Sequence, residues 1–151
     1  MAPVTRRRAR WSDESGAELI EFALSLPILL LVGFGIMDFG LLFRRYEVIT
    51  NAAREGARVG ILPGYAAADV TVRVNQYLTA AGLTATPTVT ITPSTINVGG
   101  ACVGMTSVTV GYPQTYSLVG GIASYFGSSG FASGTLLATA EMRNELRATG
   151  C

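Results

Sequence analysis

The stretch GAELIEFALSLPILLLVGFGIMDFGLLFRRYEVITNAAREGARVG, residues 16–60, decides the fold, because it carries two successive helical patterns with no break between them. From Phe22 to Phe43 the only charge is Asp38, with Glu21 just before the run and Arg44-Arg45 just after it. At 1.5 Å per residue, roughly 22 residues make about 33 Å of helix, enough to cross a hydrocarbon layer of about 30 Å. A secretory signal peptide has a shorter apolar run ending at an A-x-A-like site, whereas this one ends in MDFGLLFRRY. A buried core helix would be shorter or would show a polar face. The spacing therefore predicts a transmembrane helix within residues 17–43.

Past Phe43 the pattern splits into two faces at the 3.6-residue period. Arg44, Glu47, Asn51, Arg54, Glu55 and Arg58 form one face, and Ile49, Ala52, Ala53, Gly56 and Gly60 the other. Such small residues let a second element approach the helix backbone closely, and packing against the chain's own domain is the expected use. Leu62-Pro63-Gly64 then stops the helix, so residues 44–62 read as its continuation outside the membrane.

Residues 63–151 read as one small α+β domain. A short helix is expected over 68–81, with Val70, Val74, Tyr77, Leu78 and Ala81 on one face and Gly82 as its stop. The period then changes to two. Val89 and Ile91 alternate with Thr88, Thr90 and Thr92. Val108, Val110 and Tyr112 alternate with Ser107, Thr109 and Gly111. Leu136, Ala138, Ala140 and Met142 alternate with Thr135, Leu137, Thr139, Glu141 and Arg143. These predict about three antiparallel strands with one covered face. Leu118, Val119, Ile122, Tyr125 and Phe126 suggest a further short helix before the flexible run Gly127-Ser128-Ser129-Gly130.

Composition narrows the function classes. The chain is 49% hydrophobic and only 14% charged, so part of it is expected to meet lipid or a large partner surface. Net charge is +1, and Arg6, Arg7, Arg8 and Arg10 lie in the first 16 residues. The remaining chain holds seven basic and eight acidic residues, which is no nucleic-acid-binding surface. The arginines before the apolar run argue for an inside N-terminus and an outside domain. With no His, triad chemistry and His-ligated zinc are excluded within this chain, and no metal or cofactor site is expected. Cys102 and Cys151 are placed where a disulfide is allowed, and spacing alone leaves their pairing open. Glu141 and Glu145 are four apart, but solvated surface charge explains them, so no enzyme is expected.

The segment Gly16-Ala17-Glu18-Leu19-Ile20-Glu21-Phe22 places a Gly, a carboxylate five residues on and an aromatic at the mouth of the membrane helix. That is the pattern of a type IV prepilin: cleavage after Gly16, a new amine on Ala17, and Glu21 at the fifth mature position. A carboxylate in this place costs up to about 3 kcal/mol at the bilayer centre and less near an interface, and it usually marks function. Its natural partner is the freed amine of Ala17, on the same subunit or a neighbour; in an uncleaved signal anchor Glu21 would instead sit solvated at headgroup level. For Asp38, pairing with a partner protein and snorkelling to the outer headgroups both stay open.

The wider segment resembles the TadE-like family, minor pilins or pseudopilins of the Tad/Flp tight-adherence pilus system. The residues that carry the resemblance are Glu21-Phe22-Ala23-Leu24, Leu26-Pro27, Phe34-Gly35-Ile36, Phe39-Gly40 and Asn51-Ala52-Ala53-Arg54-Glu55-Gly56-Ala57-Arg58. The ending Ala138-Thr139-Ala140-Glu141-Met142-Arg143 is also similar. The resemblance implies a leader at 1–16 removed by a prepilin peptidase, and a lollipop-shaped, type IV pilin-like fold. It implies a cytoplasmic-membrane location, possible passage into an extracellular pilus, and partners among major and minor pilins and the inner-membrane assembly platform. Glu21, Phe22 and Asp38 are then the helix-assembly residues. The competing expectation is an uncleaved, single-pass anchor carrying a binding or scaffold module of the cell envelope.

Overall fold

The computed structural model describes residues 14–116, 118, 120, 121, 127 and 133–144. Its first element, α1, runs unbroken from Glu14 to Gly60, 47 residues in all. The helix starts slightly before the boundary expected at Gly16. Pro27 lies inside α1 and removes one amide donor, a loss tolerated in a helix this long and regular. The helix stops where the sequence predicts, with Pro63 unable to continue it and Gly64 at φ +87.

The second helix, α2, spans Ala67–Ala80, within one residue of the expected bounds. At its start the Asp69 carboxylate accepts the Ala66 N–H at 2.8 Å. At its end Gly82, at φ +81, turns the chain left-handed. The Gly82 N–H then reaches the Thr79 carbonyl at 3.0 Å and the Leu83 N–H the Leu78 carbonyl at 2.9 Å, which closes the helix in a Schellman motif. Val70, Val74 and Leu78 are buried as expected, but Tyr77 and Ala81 are exposed at the rim of that face.

Three antiparallel strands follow in the order β1-β2-β3: β1 Thr88–Val98, β2 Ala101–Thr115 and β3 Ser133–Asn144. Register sets Val89 opposite Val110 and Ile91 opposite Val108. On the other side of β2, Val108 faces Ala140, Val110 faces Ala138 and Tyr112 faces Leu136. The residues expected on the covered face therefore share one face, and the Thr-rich set lies on the other, where Thr109 and Thr139 hydroxyls meet at 2.9 Å. The first two strands are longer than the alternation showed. They continue through Pro93 and meet in a two-residue turn at Gly99-Gly100, both at positive φ, with the Asn97 side chain accepting the Gly100 N–H at 2.9 Å. Pro93 is tolerated because β1 is an edge strand of this sheet.

The core lies between the upper part of α1, α2 and the inner sheet face. Ile49, Ala52, Ala53 and Ala57 are completely buried and pack with Val70, Val74, Leu78, Val108, Val110, Tyr112, Ala138 and Ala140. Gly56 is the point of closest approach: a Cβ there would stand 2.7 Å from Val74 Cγ2, 3.3 Å from Val108 Cγ1 and 3.4 Å from Val70 Cγ1. Glu55 beside it ties the two helices at the surface, accepting from Arg73 at 2.8 Å and lying 3.7 Å from Arg58. The predicted small-residue face thus packs within the chain.

Replacing Gly56 with Val is expected to destabilise the head by about 1–3 kcal/mol through overpacking. Gly40→Ala, where nothing lies within 4 Å of the added carbon, is expected to be neutral or to stabilise by up to about 1 kcal/mol. Denaturant unfolding of the two full-length variants in detergent measures the difference.

Candidate functional site

At the mouth of α1, Gly16 is exposed and a Cβ built on it would meet nothing within 4 Å. Neither packing nor a positive φ requires glycine there, although glycine weakens a helix by about 1 kcal/mol relative to alanine. Ala17, Glu21 and Phe22 are exposed as well. Ser25 donates its hydroxyl to the Glu21 main-chain carbonyl at 2.9 Å, but among the described residues nothing pairs with the Glu21 carboxylate. Around these residues the helix surface is bare hydrocarbon: Leu19, Phe22, Leu24, Ile28 and Leu29 are each more than 60% exposed. The helix is long and apolar enough to cross a membrane, and none of its most apolar window is buried within the chain.

Asp38 is different. It is buried, 7% exposed, on a helix whose neighbouring residues Met37 and Phe39 are bare. Its Oδ2 accepts the Leu118 main-chain N–H at 3.1 Å, across 80 residues of sequence. The chain between β2 and β3 thus comes down beside α1 at this point, with Leu118, Gly120 and Gly121 helical; Val119, Ile122, Tyr125 and Phe126 of the expected short helix lie outside the described residues. Two turns further up, the Arg45 guanidinium donates to the side-chain oxygen of Gln114, which is itself buried and donates to the Thr115 carbonyl at 2.8 Å. Asp38 and Arg45 therefore clamp the two ends of one loop-proximal segment to the helix. Neither contact could be read from spacing, because both join residues about 70–80 positions apart.

These two places are separate. Gly16 and Asp38 are roughly 33 Å apart along the helix, so the mouth and the junction act independently. The third predicted pair is half described: Cys102 is disulfide-bonded, and Cys151 lies outside the described residues. Glu141 sits exposed on the outer sheet face opposite Ser107, and Glu145 lies outside the described residues. Among the described residues no His, Cys, Asp or Glu side chains gather as a metal site.

One uncovered apolar helix that also forms the spine of an α+β head defines the class: a head domain built on a helix able to cross a membrane. Within that class, residues 16–58 match the family model described as TadE-like protein, and the chain carries a TadE-like family domain there. The family points to Tad pilus-associated prepilin-like proteins, implies association with the Tad pilus machinery and suggests a structural pilus protein. Comparison with curated proteins and with solved structures found no match.

Asp38→Leu leaves the Leu118 N–H without this acceptor, a loss of about 1–3 kcal/mol. Amide exchange at Leu118 is expected to accelerate by roughly 5–150-fold, while amides near Ile49 keep their protection. Asp38→Asn, which retains an acceptor oxygen, is expected to change exchange at Leu118 much less.

Proposed function

We propose that this chain is a minor pilin, or pseudopilin, that takes part in assembling or capping a Tad/Flp-type adherence pilus. Prepilin peptidase removes residues 1–16 after Gly16, leaving Ala17 as the new N-terminus and Glu21 as the fifth mature residue. The N-terminus starts on the inner side of the cytoplasmic membrane and the head lies on its outer side, and the helix later packs among those of other pilins on the inner-membrane assembly platform.

The observation that carries this reading is the TadE-like match itself, which begins at Gly16 and covers the bare helix and the spine of the head. Two local features support it. Glycine at position 16 answers no packing need of the fold and is exposed, which leaves it free to serve an external peptidase. Glu21 lacks a partner within the described residues, and a carboxylate at the mouth of an apolar helix calls for a cation; the amine released on Ala17 supplies one of the right charge. The head, with its own core, is larger than shaft packing alone requires and suits a minor subunit. We also infer that Cys102 pairs with Cys151, which would tie the C-terminus to the β1–β2 hairpin outside the cytoplasm.

Intact-mass measurement of the protein from its native host is expected to give a chain that begins at Ala17. Gly16→Leu is expected to keep residues 1–16. A wild-type chain that retains its leader would instead identify an uncleaved anchor with a binding or scaffold head, and a Gly16→Leu chain that still loses it would move the cleavage site. Peptide mapping without reductant is expected to recover Cys102 and Cys151 in one linked fragment.

A further inference from the structure

We infer that the outer edge of the membrane hydrocarbon lies at Asp38, where the head closes over α1, so that Glu18–Met37 crosses the bilayer and Leu41–Arg45 stands beyond it. This rests on reading α1 as a membrane helix, and it replaces the Phe22–Phe43 span that hydropathy alone suggests.

The covered side of α1 is one continuous stripe. Going down the helix from the core, Ala52 and Ile49 are buried, Arg45 and Leu42 are half-buried, Asp38 is the last fully buried residue, and the covering tapers off at the half-buried Phe34 and Gly35 one turn below. There the head contributes main chain: the Leu118 N–H bonds the Asp38 carboxylate, and Tyr116 just before it is in neither helix nor strand. A carboxylate is costly inside the hydrocarbon, and an irregular residue such as Tyr116 exposed to lipid there would have no water to bond its amide and carbonyl. The Phe22–Phe43 placement would sink this loop, Asp38 and Leu118 together, about 8 Å below the outer edge. Ending the hydrocarbon at Asp38 keeps all of them in the headgroup layer.

Length and charge agree. Counting back from Asp38, about 20 residues give the roughly 30 Å of the hydrocarbon core and reach Glu18. Arg44 is exposed and Arg45 bonds only the neutral Gln114 amide, with no carboxylate partner for either among the described residues. Helical side chains lean toward the N-terminus, here back toward the bilayer, so both guanidinium groups fall at the level of lipid phosphates. Arginines that weigh against an outside head by simple counting become its contact with the outer leaflet. At the other end, Glu21 is drawn roughly 5 Å inside the inner edge.

Single cysteines at exposed positions test the placement without disturbing packing: Leu19, Leu30 and Leu41 are 69%, 43% and 47% exposed. The full chain is reconstituted in phosphatidylcholine vesicles and treated with N-ethylmaleimide on both sides, with the unsubstituted chain as blank. Maleimide attacks the thiolate, which does not form in hydrocarbon. Leu41→Cys is expected to react at least tenfold faster than Leu30→Cys, and Leu19→Cys as slowly as Leu30→Cys. Fast Leu19→Cys with slow Leu41→Cys would overturn the boundary while leaving the membrane helix in place. Equal, fast labelling at all three would overturn the membrane reading itself.

Discussion

Val74, Val108 and Val70 converge on α1 at Gly56, a position with no side chain to hold them off. That close approach is what lets a single helix act as the central support of the head. With Ala52, Ala53 and Ala57 flanking it, α1 offers almost a bare backbone surface, and α2 and the sheet both reach it. The sheet in turn places small Ala138 and Ala140 on the inner face of β3, beside the helix. Burial here is obtained by bringing elements together rather than by filling a wide space with large side chains, which suits so small a head.

The same helix carries two kinds of surface. Below Asp38 its surface is mostly apolar and exposed, with only Phe34 and Gly35 half-buried among the described residues; above Arg45 one face is buried by the head while Glu47, Asn51, Arg54 and Arg58 are exposed. The change is made by polar contacts, Asp38 to the Leu118 amide and Arg45 to Gln114, which tie the head down to the helix it would otherwise only lean against. For a subunit that leaves the bilayer to join a filament, as proposed here, this matters mechanically. A head clamped to its helix at two levels moves with it as one body.

Much of this was legible in the residues. The length of the apolar run, the two faces beyond Phe43 and the period-two alternation of Val108, Val110 and Tyr112 report local geometry, and local geometry is what periodicity encodes. The far halves of β1 and β2 were not legible, because Pro93 and the run Ser94–Val98 show no alternation and are exposed. Their pairing comes from the partner strand and from the Gly99-Gly100 turn. Tyr77 was misplaced for a related reason: it lies at the margin of a correctly identified face, and only the packing of α2 against α1 determines where burial ends.

The sequence by itself determined that one helix would run from the Gly16 motif into the head, that its small-residue side would be the packed one, and that the rest would fold as α+β. It also marked Gly16, Glu21 and Asp38 as residues whose chemistry the helix does not need. Only the tertiary structure showed where Asp38 sits and what it touches within the chain. Spacing left pairing with a partner protein and snorkelling to the outer headgroups both open, and the contact found is neither of these, since Asp38 accepts a main-chain N–H of its own chain. The answer lay some 80 residues away, in a main-chain amide near Leu118 that any residue type could have supplied and that no side-chain pattern announces.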